Sequence, residues 1–281
     1  MLTICSEIEI AILSLLATRS RRPRARNGGC IGENAVEAPR PVDALDVPIP
    51  DENTRMNTPD DYEGLRVGFT AAVSHELRTP LARLLSLLDT AALPGVDKDE
   101  IISDVRDEVI EMNDLITDIL FLSELEQGRE IVALGSTAIA PVVDEAFGSL
   151  RDRAHAAEVT LARELTEASM APLRPRMLRV VVENLADNAI RYAGRQTTFT
   201  LRAWAEGDEL VVEGSDDGIG VRQHDADRLF ERFFRGDRAR TSRGTGLGLA
   251  IVKHVISAAG GSVEAVSEPG QGLAVRCRMP L

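Results

Sequence analysis

Apolar residues recur every three or four positions along one stretch of the chain: Leu65, Phe69, Val73, Leu77, Leu81, Leu84 and Leu88. At 100° per residue they share a face, which predicts an amphipathic helix. Thr58 suits its cap, Pro59 its first turn, and Asp60 and Asp61 complement its dipole. The helix should run to about Ala91, bent where Pro80 removes a backbone donor. "LPGVDKDE" then breaks the pattern, and Asp97 with Glu100 resembles the capping box of a second helix. That helix carries its stripe on Ile102, Val105, Val109, Met112, Ile116 and Ile119. Two such helices and a short loop make an antiparallel hairpin. One hairpin cannot hide both stripes, so a second copy completing a four-helix bundle is expected; packing on the carboxy-terminal half is the alternative.

The period changes at about Arg129. "VTLARELTE", "TTFTLRAWAEGDELVVEGSDD" and "GSVEAVSEPGQGLAVRCRMP" alternate as strands do, whereas residues 141–157, 175–193 and 247–259 keep helical spacing. An α+β domain of about 150 residues follows, with its strands concentrated in the second half. Residues 21–57 are rich in proline, glycine and charge and read as an arm or linker. The expected division is therefore 1–57, 58–128 and 129–281. The run "IEIAILSLLA" at residues 8–17 is too short to span a membrane, which takes about 20 apolar residues. The arginines after it resemble a cytoplasmic flank, so a truncated anchor and a mistaken start site both stay open. The expected location is cytoplasmic, at the inner face of the membrane if an anchor exists.

Composition narrows the function. Of 281 residues 44% are apolar, which suits a globular chain, and only 4% are aromatic. With a net charge of −13, a nucleic-acid partner is disfavoured on both stacking and phosphate grounds. Cys5, Cys30 and Cys277 share no metal-ligand spacing and read as reduced or incidental thiols.

Several stretches carry candidate chemistry. His75 falls roughly 160° from the centre of the first stripe and so points at solvent, directly before Glu76. Such a histidine is ordinarily a surface residue. Asn184, Asn188 and Arg191, at i, i+4 and i+7, share one face of an otherwise apolar helix. Amide oxygens can hold a cation and a guanidinium can fork a phosphate; alone, the same stripe reads as a solvated edge. "GSDDGIGV" places Asp216 at a strand end, with Gly218 and Gly220 turning the chain, so that a carboxylate could meet an exocyclic amine. A plain turn explains it equally well. In "RGTGLGLAIVKHVISAAGG", Gly244, Gly246 and Gly248 open a helix whose free N–H groups form an anion site. The spacing is not that of a dinucleotide-binding strand–turn–helix, and the lysine of a P-loop is missing.

In this order the pieces resemble the sensor histidine kinases of two-component systems. "SHELRTPL" is similar to the family's phosphoacceptor box, "NLADNAIRY" to its asparagine box, "DDGIG" to its first glycine box, "LFERFFR" to its phenylalanine box and "GTGLGL" to its second glycine box. The resemblance covers residues 62–281, about three quarters of the chain. It implies a dimeric hairpin for histidine phosphotransfer followed by an α/β sandwich that binds ATP and magnesium.

By position the resemblance makes His75 the phosphoacceptor, Glu76 its hydrogen-bonding base and Thr79 the residue of a phosphatase activity toward the regulator. Asn188 corresponds to the magnesium ligand, with Asn184 beside it. Arg191 and Tyr192 lie next to the phosphates and sugar, Asp216 reads adenine, and Arg235 contacts phosphate at the lid. Gly218 and Gly220 admit the base; Gly244, Thr245, Gly246, Leu247 and Gly248 close over the triphosphate. The implied partner is a response-regulator receiver domain, whose aspartate takes the phosphoryl group. "APLRPRML" replaces a Gly-Asp turn common before the asparagine box, and the family's sensor domain is not recognisable. His155, His224 and His254 are expected to lack a carboxylate neighbour and to be structural. The alternatives are a silent dimeric adaptor and a serine kinase on the same ATP fold.

Overall fold

The computed structural model describes residues 59–127, 135–165, 169–236 and 244–281. The apolar run at 8–17, the arm to residue 57, the Thr58 cap, Cys5 and Cys30 all lie outside them. The chain divides into two compact units, residues 1–74 and 75–281. The boundary falls inside the first helix, α1 (Pro59–Ala91), which continues through Pro80.

In the second unit the rest of α1 and helix α2 (Lys98–Glu126) form the predicted hairpin. Asp97 caps α2, its Oδ1 accepting from the N–H groups of Asp99 at 3.0 Å and Glu100 at 3.3 Å. That satisfies two of the donors a helix start leaves open. Across the hairpin Arg83 reaches Glu108, a buried carboxylate, at 3.4 Å.

The expected stripe on α2 faces largely outward in the single chain. Of its six residues only Ile119 is buried, while Ile102 is 64%, Val109 51% and Ile116 39% exposed. The buried positions are Ile101, Glu108, Leu115, Ile119, Leu122 and Leu125. The helix carries two apolar stripes about 100° apart. The face turned inward in the single chain packs on helix α6 (Gly248–Ala258) of the following domain. Ile102, Val109, Ile116 and Leu120 are left on an outer apolar face, with Leu85 and Leu88 exposed on α1.

That domain begins with β1 (Thr137–Ala138), α3 (Ile139–Ala157), β2 (Val159–Glu164), β3 (Met170–Ala171) and α4 (Pro175–Tyr192). It continues with β4 (Thr197–Glu206), β5 (Glu209–Asp216), α5 (Gln223–Ala226), α6, β6 (Ser262–Ser267) and β7 (Leu273–Pro280). The main sheet has the order β2-β4-β5-β7-β6. Only β2 and β4 are parallel, and α4 supplies the crossover that a parallel pair requires. The short β1–β3 pair was not legible in the sequence.

Alternation along β4 and β7 sends Phe199, Leu201, Val275, Cys277 and Met279 into the core. The other face is a ladder of ions: Glu213 is held by Arg276 at 2.6 Å and Arg202 at 3.6 Å, and Arg202 by Glu164 at 2.8 Å. A mostly antiparallel sheet with one wet face explains the alternating pattern. Helices α3, α4 and α6 supply the opposing layer through Val143, Leu178, Val182, Ile251 and Val255. Burial pushes the free Cys277 thiol up to about 12, which leaves it inert. Among the described residues, no helix is long and apolar enough to cross a membrane.

Candidate nucleotide and phosphoacceptor sites

His75 projects from α1 with its side chain 75% exposed, as the helical wheel requires. Its Nδ1 lies 3.3 Å from Glu76 Oε1. A carboxylate there accepts the Nδ1 proton and leaves the Nε2 lone pair facing solvent. One turn later the Thr79 hydroxyl donates to the His75 carbonyl at 3.4 Å, a weak back-bond along the helix.

The remaining candidates converge elsewhere, on a cavity of about 880 Å³ between α4, the end of β5 and the start of α6. That volume falls within the roughly 300–1,000 Å³ range of small-molecule sites. Helix α4 starts at Pro175, a suitable first residue for a helix, and projects Asn184, Asn188, Arg191 and Tyr192 at the cavity. Asp216, Gly220, Arg235, Gly244, Thr245, Gly246 and Gly248 also line it. Gly218 and Leu247 stand behind the wall. An added Cβ on Gly218 would sit 2.3 Å from the Ala193 carbonyl oxygen, so only glycine lets this turn close against the end of α4. Leu247 is fully buried. His75, Glu76 and Thr79 are not in the cavity.

Asp216 is a part-buried acid of the site. Burial raises its carboxyl above the usual range, opposed by N–H groups from Gly218 and Leu273. The Gly218 bond is 2.9 Å long. A half-desolvated carboxylate at a cavity wall is a strong acceptor for an amine donor. On α4 the Asn184 amide donates to the Val180 carbonyl at 2.8 Å, which turns its Oδ1 toward Gly248. A Cβ on Gly248 would lie 2.5 Å from that oxygen, so glycine is needed for α6 to start this close to α4. Arg191 Nε donates to Asp187 Oδ2 at 2.6 Å, and Arg153 of α3 binds the other carboxylate oxygen.

Several charged residues at or beside this cavity were not singled out from sequence. Arg153 and Asp187 form the bridge just described. Asp114 and Asp118 of α2 line the cavity as well. Glu111 Oε1 accepts the Gly244 N–H at 2.8 Å, and Asp118 Oδ2 accepts the Thr245 hydroxyl at 2.9 Å. The signal available was the i, i+3, i+7 spacing of Glu111, Asp114 and Asp118, which places them on one helix face. One expectation is corrected: His224 does have a carboxylate neighbour, its Nε2 lying 3.2 Å from Asp225 Oδ1. His and Asp are adjacent in the short helix α5, and the pair is mostly a surface contact on the histidine side. Among the described residues no three His, Cys, Asp or Glu side chains form a metal cage.

Two family profiles match the chain. "His Kinase A (phospho-acceptor) domain" matches residues 65–128, and "Histidine kinase-, DNA gyrase B-, and HSP90-like ATPase" matches residues 174–281. The circadian input-output histidine kinase CikA of Synechococcus elongatus is 32% identical over 214 residues, 73% of this chain and 28% of CikA. The sensor-like histidine kinase SenX3 of Mycobacterium tuberculosis is 31% identical over 224 residues, 78% of this chain and 54% of SenX3. The chain thus spans about half the length of one curated relative and little more than a quarter of the other. The histidine kinase ThkA, solved in complex with the response regulator protein TrrA, shares the fold with a TM-score of 0.64 at 17% identity. That match covers 79% of this chain and 63% of ThkA. By both profiles and these relatives, the chain belongs to the sensor histidine kinases and joins a phospho-acceptor domain to an ATPase domain.

Proposed function

We propose that this protein is an ATP-dependent histidine kinase that phosphorylates its own His75 and passes the phosphoryl group to an aspartate of a response regulator. The carrying observation is the division of labour between two places. An exposed imidazole, with Glu76 on its Nδ1, stands outside a cavity that gathers Asn188, Arg191, Asp216 and the glycine-rich start of α6. Exposure suits a group that must take a phosphoryl from one domain and offer it to another protein. Glu76 fixes the tautomer and stabilises the positive charge that grows on the ring during attack, help typically worth about 10²–10⁴ in rate.

In the cavity Asp216 would accept from the exocyclic amine of adenine, and Arg191 and the N–H groups of residues 244–248 would meet the phosphates. Tyr192, Asn184 and Arg235 line the same space. Asn188 would hold magnesium together with the nucleotide's own oxygens, and the ion supplies charge neutralisation on the transferring group. The working division is an arm at 1–57, a dimerisation and phosphotransfer domain at 58–128 and an ATP-binding domain at 129–281. The outer apolar face of Ile102, Val109 and Ile116 supports a homodimer, in which a second hairpin would cover it. The complex of ThkA with a response regulator supports a receiver domain as partner. A cytoplasmic location follows from that partnership.

The test is incubation with radiolabelled Mg-ATP. An acid-labile, base-stable label that His75→Gln abolishes, while ATP binding persists, is the expected result. Label surviving in that variant assigns the acceptor to another residue. Acid-stable label makes the chain a serine kinase, and no label on a nucleotide-binding protein makes it an adaptor.

A further inference from the structure

Helix α2 presents two carboxylates to the donors at the start of α6. Gly244 N–H donates to Glu111 Oε1 and the Thr245 hydroxyl to Asp118 Oδ2, across 133 and 127 residues of sequence. Arg191 stands in electrostatic reach of both acids. Two of the groups that the ATP reading assigns to phosphates therefore bond α2 carboxylates, and a third, Arg191, feels their charge. Carboxylate and phosphate are alike in what matters to these donors, since both are anionic oxygens that take charge-assisted hydrogen bonds. A donor hydrogen engaged by one is closed to the other, and two anions at that separation repel.

We propose that the acidic face of α2, Glu111 with Asp114 and Asp118, is a docking surface for the empty phosphate-binding loop, and that nucleotide phosphates compete with it for the same donors. The inference rests on the ATP reading above. The partner this surface fits is a glycine-rich anion-binding loop with a hydroxyl beside it, here the loop of the same chain. While docked, the loop is not free to bind, so apparent affinity is reduced by the undocked fraction. ATP binding and release of the loop from the hairpin become one event.

The test is calorimetric titration of the full chain with Mg-AMPPNP. Glu111→Ala with Asp118→Ala should tighten binding three-fold or more, and each single change should tighten it less. Asp118→Asn keeps an acceptor for the Thr245 hydroxyl and should tighten it less than Asp118→Ala does. In the absence of nucleotide, amide exchange in residues 244–250 should be faster in the double variant than in the parent. Unchanged affinity with nucleotide still bound, or unchanged exchange in 244–250, overturns the inference alone. Tightening by Asp118→Asn as great as by Asp118→Ala also overturns it, because charge rather than docking would then be responsible. If neither parent nor variants bind Mg-AMPPNP, the ATP reading itself falls, and this inference with it.

Discussion

The Thr245 hydroxyl stands between two partners: it accepts the Leu247 N–H at 3.2 Å and donates to Asp118 Oδ2 at 2.9 Å. One side chain therefore ties the first turn of α6 to the middle of α2. On the α2 side the tie is made by an acid in an unfavourable place. Burial raises the Asp118 carboxyl from 3.8 to about 6, with Asp114 and Asp187 adding to the rise and Thr245 and Arg191 opposing it.

The sign of the resulting pH dependence follows. The folded chain binds the Asp118 proton more tightly than the unfolded chain does, so stability is lost as pH rises from about 4 through about 6. At about 1.4 kcal/mol per pH unit the ionised group costs roughly 2–3 kcal/mol above that window. Asp118→Asn keeps the acceptor and removes the charge. Its melting temperature should exceed the parent's by several degrees at pH 7.5, with the two converging at pH 4. Equal melting temperatures at pH 7.5 would show that this carboxylate is not desolvated.

Asp216 carries a different expectation. Its carboxylate is a part-buried acid on the cavity wall at the end of β5, held in orientation by the Gly218 N–H. Asp216→Ala should weaken ATP binding about ten-fold or more and erase any preference over GTP, since a charged hydrogen bond is worth about 1.5–3 kcal/mol. Competition between ATP and GTP for parent and variant measures this. A variant that still prefers ATP as the parent does would move the base-reading group elsewhere.

How legible these sites were depended on how far apart in sequence their parts lie. Asn184, Asn188 and Arg191 could be grouped from helical periodicity alone, and all three face the cavity. The pairings Glu111–Gly244 and Asp118–Thr245 join segments more than 120 residues apart, beyond the reach of any local pattern. The α2 stripe was only part of what that helix carries. Ile101 and Leu115 lie one position from Ile102 and Ile116, so the helix has two apolar faces, and periodicity does not say which packs within the chain. The choice is made by packing against α6. The sheet was easier, because β4 and β7 each have one wet face and alternate cleanly.

Asp187 should act on the nucleotide through Arg191. It takes the Arg191 Nε at 2.6 Å and is itself held by Arg153, which leaves the outer nitrogens of Arg191 near Gly244. A guanidinium anchored at Nε is pre-organised for a phosphate. Asp187→Ala should raise the KM for ATP several-fold with a smaller effect on kcat, and Asp187→Glu should recover part of the loss. A fall in kcat at unchanged KM would place Asp187 in the chemical step instead.

Thr79 is expected to serve a second reaction, hydrolysis of the regulator's phospho-aspartate. It stands four residues after His75, on the same exposed side of α1, and its hydroxyl has only a long 3.4 Å bond to the His75 carbonyl. A bond of that length is easily given up. The hydroxyl is then able to hold a water in line with the phospho-aspartate of a regulator docked beside His75. Holding a water requires neither the imidazole nucleophile nor ATP. Thr79→Ala should therefore leave autophosphorylation and phosphotransfer within about two-fold of the parent, while phosphate on the regulator persists longer. The helix itself should not suffer, because alanine is the better helix former by a few tenths of a kcal/mol and the position is exposed. The measurement is decay of purified phosphorylated regulator with parent or variant added. Equal decay with the two proteins, each faster than the regulator alone, would remove Thr79 from that reaction and leave its hydroxyl as a helix back-bond.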